Sequence, residues 1–404
     1  MLVQSADVYK AGVFAGRITR RDDSNAFEYD ADYLKSGQPA VASTLPLTDV
    51  PVVTTSGAVP AYFAGLLPEG RRLSALIRRV KTSADDELSL LTAVGGNTIG
   101  DVQVFETGAK REFIEPVVML PANLQVRSFS GFLEESFGSE LVAIPGVQDK
   151  VSGRMITVSA KAATDSFILK FDPPEFDQLV ENESFFLSLA KRAGLKVVEH
   201  QLVTDSIGKK ALAVARFDRL GVGTAERSLA VEDSCQALGL WPVAKYDPSA
   251  AKAIGSLVAL CAAPGVEASA LFAQLLFAWL TGNGDVHTKN ISVLASGTEY
   301  RVSPAYDLPS TLFYPVSSAM ALSVLGHKTG ISGKIWQNFA EQIGVPNAIA
   351  VKNARQILAA TAGLDEQIAA GFLNFDQQTC KKAARELKNR RRLTLEGWPE
   401  LGVN

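Results

Sequence analysis

The sequence has few of the residues from which disulfide frameworks and zinc sites are built. Its 404 residues include three cysteines, Cys235, Cys261 and Cys380, and three histidines. The cysteines are odd in number, far apart and without the paired spacing of zinc ligands. We therefore expect neither a disulfide framework nor a zinc site, and an environment that is reducing, such as the cytoplasm.

Long apolar runs and a strong excess of one charge are also missing. The most apolar run, Leu271 to Leu280, is too short to span a bilayer. The first residues, MLVQSADVYKAG, include an early acid and lack the apolar stretch of a signal peptide. The formal net charge is −3, so no overall positive field attracts nucleic acid. We expect a cytoplasmic chain without a membrane partner.

The sequence does contain enough apolar residues for more than one core. Apolar residues make up 47% of the chain and charged residues 21%, as in globular proteins. A chain of this length is expected to form two or three domains. Changes in the hydrophobic pattern predict three units: an α+β unit at 1–110, a β-rich unit at 111–232 and a mainly helical unit at 233–404.

Hydrophobic periodicity predicts the elements within these units. Strands are predicted in a hairpin over 6–20, and at 27–34, 42–47, 155–159, 167–171, 197–203 and 211–217. Helices are predicted between 61 and 94, over 179–192, and at about 249–262, 267–281, 333–343, 346–361 and 376–392. The change from strands to helices near Glu232 predicts an α+β fold with a boundary there between a strand-rich and a helical lobe.

Two acids and an amide have the spacing of a phosphoryl-transfer site. Asn290 follows five residues after Asp285, and Asp307 follows 22 residues after Asp285. In kinases one Asp orients and deprotonates the acceptor hydroxyl, while an Asn five residues later and a further Asp hold Mg²⁺ against the phosphates of ATP. The alternative is that these residues only form turns, where Asp and Asn are common. The pattern predicts Asp285 as the catalytic base and Asn290 and Asp307 as Mg²⁺ ligands.

Lys170 lies in the middle of an apolar strand pattern, on the same face as Ile168. A lysine at such a position is costly unless it is paired. A kinase lysine that neutralises the phosphates of ATP and pairs with a helix carboxylate satisfies this requirement. Glu181 and Glu183 are the candidate partners, with Glu183 preferred, and an edge-strand lysine is the alternative.

Several stretches together resemble the HipA family of bacterial serine/threonine kinases, the toxins of HipB–HipA-type modules. They occur in family order and cover most of the chain. The stretches are LLPEG at 66–70, GVQDK at 146–150, ILK at 168–170, VENE at 180–183, RFDR at 216–219, EDSCQALG at 232–239, KY at 245–246, DVHTKN at 285–290 and YD at 306–307. The resemblance implies a two-lobed kinase fold with an additional N-terminal α+β subdomain.

The resemblance also assigns residues to the nucleotide site. It implies a phosphate-covering loop, a hinge that binds adenine through backbone groups, and further residues around the phosphates. The loop is Pro145, Gly146, Val147, Gln148, Asp149 and Lys150; the hinge is Glu232, Asp233 and Ser234; the further residues are His287, Lys289 and Tyr306. As alternatives, Pro145-Gly146 forms an ordinary turn and Asp233 or Ser234 caps a helix.

The resemblance implies a function and partners as well. We expect an ATP- and Mg²⁺-dependent serine/threonine kinase, the toxin of a toxin–antitoxin pair, with an aminoacyl-tRNA synthetase as the protein substrate. The expected partner is a small helix-turn-helix antitoxin of the HipB type, which brings the kinase to operator DNA. Two alternatives are a non-catalytic corepressor that supports antitoxin binding to DNA, and a small-molecule phosphotransferase.

Two features bear on regulation and on DNA contact. In the family a serine three residues before the phosphate-loop glycine is autophosphorylated, whereas this chain has Ala143, which has no hydroxyl group. Self-inactivation by that route is therefore expected to be absent.

A basic helix face near the C-terminus is expected to be solvated surface or to touch DNA in complex with the antitoxin. It comprises Lys381, Lys382, Arg385, Lys388, Arg390, Arg391 and Arg392.

Overall fold

The computed structural model describes residues 2–55, 57–111, 118–120, 128–129, 155–162, 165–221, 227–296 and 299–401. An N-terminal unit and the remainder of these residues each have their own hydrophobic core. The first core lies between a sheet and short helices. The second core extends from the helix Leu179–Arg192 through the C-terminal helices.

The N-terminal unit, residues 2–111, is an antiparallel sheet covered by helices. The sheet order is β4-β3-β2-β1-β5. The strands are β1 (Ser5–Lys10), β2 (Val13–Arg21), β3 (Ser24–Tyr29), β4 (Val52–Thr55) and β5 (Val102–Glu106). The helices are α1 (Ala31–Lys35), α2 (Ala61–Ala64), α3 (Gly70–Val80) and α4 (Glu87–Val94). Alternate residues of β1, such as Ala6 and Val8, are buried against this helical layer, which confirms the predicted hairpin.

One predicted strand of this unit is absent, and another is shorter than predicted. Residues 42–47 form no strand, and Ala42 and Leu45 instead make an isolated bridge while both side chains are buried. A short apolar run is compatible with a buried turn as well as with a strand, so periodicity alone cannot separate them. The strand predicted over 27–34 ends at Tyr29, because the Asp30 side chain accepts hydrogen bonds from the amides of Asp32 and Tyr33 and starts α1.

The second sheet has the order β6-β7-β8-β10-β9. Its strands are β6 (Val118–Leu120), β7 (Ile156–Ala162), β8 (Asp165–Phe171), β9 (His200–Thr204) and β10 (Lys210–Ala215), and its helix is α5 (Leu179–Arg192). The bounds of α5 agree with the predicted helix. In the antiparallel β7–β8 ladder Thr157 lies opposite Lys170. Two short strands follow, β11 (Arg219–Leu220) and β12 (Arg227–Ser228).

The remaining residues form a helical region with a three-stranded antiparallel sheet. The strands are β13 (Val231–Asp233), β14 (Ser292–Ser296) and β15 (Glu299–Val302). The helices are α6 (Ser234–Ala237), α7 (Ala250–Val258), α8 (Pro264–Thr281), α9 (Gly333–Gln342), α10 (Asn347–Ala360), α11 (Leu364–Ala370) and α12 (Gln377–Leu395). Helix α8 is apolar on nearly all sides from Leu271 onward because other elements surround it. Among the described residues no helix combines the length and apolar character needed to cross a membrane.

The sequence prediction missed α11, and it placed a domain boundary between residues 232 and 233, inside β13. Helix α11 has seven residues and begins after Gly363, so it carries too few turns for a clear 3.6-residue period. The three predicted units stay a prediction.

A buried ionic cluster joins the N-terminal unit to the strands before β13. The Asp218 carboxylate accepts bonds from Arg216 at 2.7 Å, from Arg219 at 2.6 Å and from the Gly100 amide at 2.9 Å. Arg216 also donates to the Thr98 carbonyl at 2.7 Å. Burial would raise the pKa of Asp218, but the two guanidinium groups outweigh burial and hold that pKa below its usual range. The cluster therefore stabilises the folded chain only while Asp218 is ionised.

We expect Asp218→Asn to lower the free energy of unfolding at neutral pH by about 3 kcal/mol, because it leaves two buried cations without their carboxylate. The folded-state pKa is lowered, so this stabilisation is present above about pH 4 and is lost as the pH falls through the folded-state value. Urea unfolding at pH 7 and at pH 3 measures the difference, with the exposed Asp22→Asn as the control. An equal loss at both pH values would contradict this account.

The basic face predicted on α12 is only partly exposed to solvent. Arg390 is 1% exposed and donates to the Trp279 carbonyl at 3.1 Å, while its guanidinium lies 4.5 Å from the centre of the Trp279 ring. Arg391 donates to the Leu358 carbonyl at 2.7 Å. Both arginines fasten α12 to neighbouring helices. The prediction of a continuous basic face is therefore wrong for Arg390, and Lys381, Lys382, Arg385, Lys388 and Arg392 are the exposed members.

Candidate active site

A cleft of about 380 Å³ lies where the N-terminal unit, the second sheet and the loop after α8 meet. Its size is within the range of small-molecule sites. Lys170, His287, Lys289, Asn290, Tyr306 and Asp307 line it. The fold thus brings together predicted residues that are up to 137 positions apart in sequence.

Lys170 lies at the centre of a buried ionic cluster. Its Nζ donates to Glu183 Oε1 at 2.8 Å and Oε2 at 3.0 Å, and to Asp307 Oδ1 at 3.1 Å. Glu181 instead pairs with Lys210, so the preference for Glu183 is confirmed. Burial alone would lower the pKa of Lys170, but Asp307 and Glu183 raise it above its usual range. Burial raises the pKa of Glu183, while Lys170 opposes that effect. Lys170 is therefore a permanent cation in the cleft.

Asp307 and Asn290 have adjacent side chains. Asn290 Nδ2 donates to Asp307 Oδ2 at 2.5 Å, and Asn290 Oδ1 accepts the His287 amide at 3.1 Å. Asp307 has a φ of +58°, a left-handed conformation that few residues other than glycine and asparagine or aspartate adopt. The Asn283 side-chain Nδ2 donates a hydrogen bond to the Asp307 carbonyl oxygen at 3.3 Å. Strained backbone of this kind is concentrated at functional sites.

These two side chains carry donors that suit a magnesium ion, but the Asn290 amide here turns Nδ2 toward Asp307 and its oxygen toward the His287 amide, so it would have to rotate to give the ion its oxygen. A carboxylate and an amide oxygen are hard donors, and Mg²⁺ commonly uses one or two protein ligands together with water and phosphate oxygens. Among the described residues no group of three or more His, Cys, Asp or Glu side chains could form a metal site by itself. A metal at Asn290 and Asp307 would therefore need the phosphates of a ligand to complete its coordination.

Asp285 is held in place by the turn that ends α8. Gly282 has a φ of +74° and caps the helix. A Cβ on Gly284 would lie 2.9 Å from the Ala319 carbonyl oxygen, so only glycine fits there. The Asp285 amide donates to Asn283 Oδ1 at 2.9 Å, and the Tyr246 hydroxyl donates to Asp285 Oδ1 at 3.1 Å. Asp285 is 3% exposed and does not itself line the cleft, whereas His287, two residues later, does.

His287 is the N-cap of the short 3₁₀ helix at 288–290, and Lys289 lies within that helix. The His287 ring packs edge-on against Tyr246, with ring centres 5.0 Å apart. Lys289 Nζ donates to the Gly65 carbonyl at 2.9 Å and lies 3.3 Å from Asp233 and 3.5 Å from Glu69. The second carboxylate oxygen of Glu69 pairs with Lys245. Lys289 is thus bound by carboxylates at the edge of the cleft, and its predicted contact with phosphates stays a prediction.

The side chains of the predicted hinge make structural contacts, and the predicted contact of the hinge backbone with adenine stays a prediction. Asp233 lines the cleft, but it is also the N-cap of α6 and forms a capping box with Gln236. The Glu232 carboxylate accepts the amide and hydroxyl of Ser43 at 2.8 and 2.6 Å, and the Ser234 hydroxyl donates to the Ala253 carbonyl at 3.0 Å. Alternation along β13 turns the Glu232 side chain away from its neighbours Val231 and Asp233, which both line the cleft. The side chains of Glu232 and Ser234 are therefore structural.

Tyr306 forms an aromatic wall of the cleft together with Phe217. The two rings stack with centres 5.6 Å apart, and the Tyr306 hydroxyl donates to the Lys289 carbonyl at 2.8 Å. Ile168, Val214 and Val231 add apolar surface on the same cleft. One part of the cleft is thus apolar and flat, and another carries Lys170, Asn290 and Asp307.

The predicted phosphate loop, Pro145, Gly146, Val147, Gln148, Asp149 and Lys150, lies outside the described residues, as does Ala143. Their assigned roles stay predictions.

The sequence analysis missed the contribution of the N-terminal unit. Residues 65–69 and 97–99, together with Arg72, line the cleft. The stretch LLPEG at 66–70 was among the motifs that carry the family resemblance, and it was the available signal. Its role could not be assigned because its partners, Lys245 and Lys289, are far away in sequence.

Comparisons with known proteins agree with this geometry. Residues 6–105 match the model of the HipA N-terminal domain, and residues 142–366 match that of the HipA-like C-terminal domain. The serine/threonine-protein kinase toxin HipA of Shewanella oneidensis is 27% identical over an alignment 403 residues long, gaps included, that covers 90% of this chain and 91% of the relative. The putative kinase Y4dM of Sinorhizobium fredii is 31% identical over an alignment 274 residues long, gaps included, that covers 63% of each chain.

A solved structure confirms the predicted α+β kinase-like fold. The HipA chain in the complex of HipA, HipB and operator DNA from Shewanella oneidensis superposes with a TM-score of 0.74 at 22% identity, covering 96% of both chains. Together the family models cover more than half of the chain, so the predicted family and enzyme class are confirmed. This chain belongs to the HipA family and is a serine/threonine-protein kinase.

Proposed function

We propose that this kinase transfers the γ-phosphoryl group of Mg²⁺-bound ATP to a serine or threonine of a protein, and that it is the toxin of a toxin–antitoxin pair. The observation that carries the proposal is the cluster of Lys170, Glu183, Asp307 and Asn290 in one cleft. It supplies a fixed cation and hard oxygen donors, which are the groups that phosphoryl transfer needs. The sites and the magnesium dependence are part of the proposal.

Each residue has a defined task in this proposal. Ile168, Val214 and Val231, with the Phe217–Tyr306 wall, pack against the base of the nucleotide. Lys170 neutralises its phosphates. Asn290 and Asp307 would hold Mg²⁺, which would neutralise charge on the transferred group. Asp285, oriented by Tyr246, positions the acceptor hydroxyl and accepts its proton.

The acceptor that we propose is a component of translation such as an aminoacyl-tRNA synthetase, in accordance with the family resemblance. Phosphoproteomics after induced expression tests this, with Asp285→Asn as the inactive control. We expect new phosphoserine or phosphothreonine sites on a synthetase when the wild-type chain is expressed, and none when Asp285→Asn is expressed. If both chains give the same phosphorylated sites, the proposed kinase site is wrong. If the sites appear only in proteins outside translation, the acceptor class is wrong.

We also propose a small helix-turn-helix antitoxin as the partner that brings the chain to operator DNA. The relative in the solved complex is bound to HipB and DNA, and the exposed cations of α12 could then face phosphates. With a net charge of −3 the isolated chain is expected not to bind DNA tightly at ~0.15 M salt. A gel-shift assay with and without the antitoxin distinguishes these cases, and tight binding by the chain alone would contradict the proposal.

A further inference from the structure

The cations of the cleft differ in their partners. Among the described residues that line it, the cations are Arg72, Lys170, Arg216, Lys245 and Lys289. The last four each pair with a carboxylate. Lys170 pairs with Glu183 and Asp307, and Arg216 pairs with Asp218. Lys245 pairs with Glu69, and Lys289 pairs with Glu69 and Asp233. Within the described part of the chain Arg72 has no carboxylate partner, and its guanidinium donates only to the Thr157 hydroxyl at 3.0 Å.

That hydroxyl places Arg72 beside the phosphate end of the cleft. Thr157 and Lys170 are direct partners in the antiparallel β7–β8 ladder. Side chains of directly opposed residues lie on the same face with Cβ atoms about 4.5–5.5 Å apart. A guanidinium bound to Thr157 is therefore a near neighbour of Lys170. Arg72 comes from α3 of the N-terminal unit, so it approaches this face from outside the second sheet.

The surroundings of Arg72 favour an anion. Desolvation, and then the like charge of Arg216, lower the pKa of Arg72, whereas a carboxylate partner would raise it. Helix α3 begins at the cleft, and the carboxylate of its N-cap residue, Glu69, pairs with Lys245 and Lys289 rather than with Arg72. Arg72 is nevertheless exposed, so a ligand can reach it.

We infer that Arg72 binds the terminal phosphates of the nucleotide, so that the N-terminal unit completes the phosphate site. This inference rests on the proposed function. A guanidinium can give two parallel bonds to phosphate oxygens, which a lysine ammonium cannot. The other cations already share their charge with carboxylates, so a triphosphate, which carries several negative charges, can use a further cation beside Lys170. Arg72 supplies the additional positive charge from a domain that lies outside the two kinase lobes.

Calorimetry with Mg-ATP, Mg-ADP and adenosine tests this on the full-length chain. We expect Arg72→Ala to weaken Mg-ATP binding about 10- to 100-fold, as for the loss of a charge-assisted contact. Adenosine affinity is expected to change less than about twofold, and Arg72→Lys to lie between wild type and Arg72→Ala. Arg79→Ala, an exposed arginine of the same helix that does not line the cleft, is the matched control and is expected to bind all three ligands as the wild type does.

The possible results separate this inference from the proposed function. A loss confined to the phosphorylated ligands supports the inference. An equal loss for adenosine means that Arg72 acts on the fold, and it overturns the inference. Unchanged Mg-ATP affinity with a raised KM for the protein acceptor also overturns it, because Arg72 then serves the acceptor while the kinase function stands. If the wild type itself does not bind Mg-ATP, the proposed function fails and the inference fails with it.

Discussion

Asp285→Asn is expected to abolish phosphoryl transfer while Mg-ATP still binds. In the proposed site this carboxylate is the base that orients the acceptor hydroxyl, and such groups contribute about 10²–10⁴-fold to the rate. Asparagine keeps the size of the side chain in a site that is 3% exposed, so the fold is expected to be retained. Single-turnover kinetics with radiolabelled ATP measures the rate, and calorimetry measures the affinity.

Two further variants define the role of Asp285. Tyr246→Phe removes the hydroxyl that donates to Asp285 at 3.1 Å, and we expect a smaller loss of about 2- to 10-fold, as for one neutral hydrogen bond. Asp247→Asn, an exposed acid one residue after Tyr246, is the control and is expected to have wild-type activity. Substantial turnover by Asp285→Asn would show that another group is the base.

Lys170→Met and Asp307→Asn are each expected to weaken Mg-ATP binding or turnover by about 10- to 100-fold. In the proposed site Lys170 is the cation that meets the phosphates, and Asp307 would supply the carboxylate for the metal. Removal of magnesium with a chelator should stop the reaction of the wild type. Titration calorimetry with and without the chelator gives the affinities.

The lysine variant has a second expected effect, on stability. It leaves the carboxylates of Glu183 and Asp307 without their shared cation, and Glu183 is fully buried. Loss of one partner from a buried ionic cluster costs about 3–5 kcal/mol. The double variant Lys170→Met/Glu183→Gln relieves part of this cost and so separates nucleotide binding from folding.

Lys191→Ala is the surface control for this pair of effects. Lys191 pairs with Glu199 at 3.2 Å, and the two side chains are 61% and 76% exposed. Such a pair contributes at most about 1 kcal/mol, so neither stability nor binding should change much. Unchanged affinity and turnover in both Lys170→Met and Asp307→Asn would place the nucleotide site elsewhere in the chain.

The sequence by itself determined the local features of this protein. The period of its apolar residues gave α5 with the observed bounds, because a long amphipathic helix has a strong 3.6-residue signal. The face on which Lys170 lies followed from strand alternation. The spacing of Asp285, Asn290 and Asp307 predicted the proposed chemistry, since these groups come from one loop and the strand pair that follows it. The short helix α11 and the buried turn at 42–47 were missed because a few residues carry too little periodicity.

Only the tertiary structure decided which distant residues meet. Glu181 and Glu183 open the same helix, and the rotation of α5 on its sheet selected Glu183 as the partner of Lys170. Arg390 was expected on a basic surface, but the packing of α12 against α8 buried it beneath Trp279. Lys289 and Gly65 are 224 residues apart and are in contact. Contacts of this kind depend on the packing of separately formed units, whose orientation is set by the cores and ionic clusters between them. Local sequence patterns carry no information about that orientation.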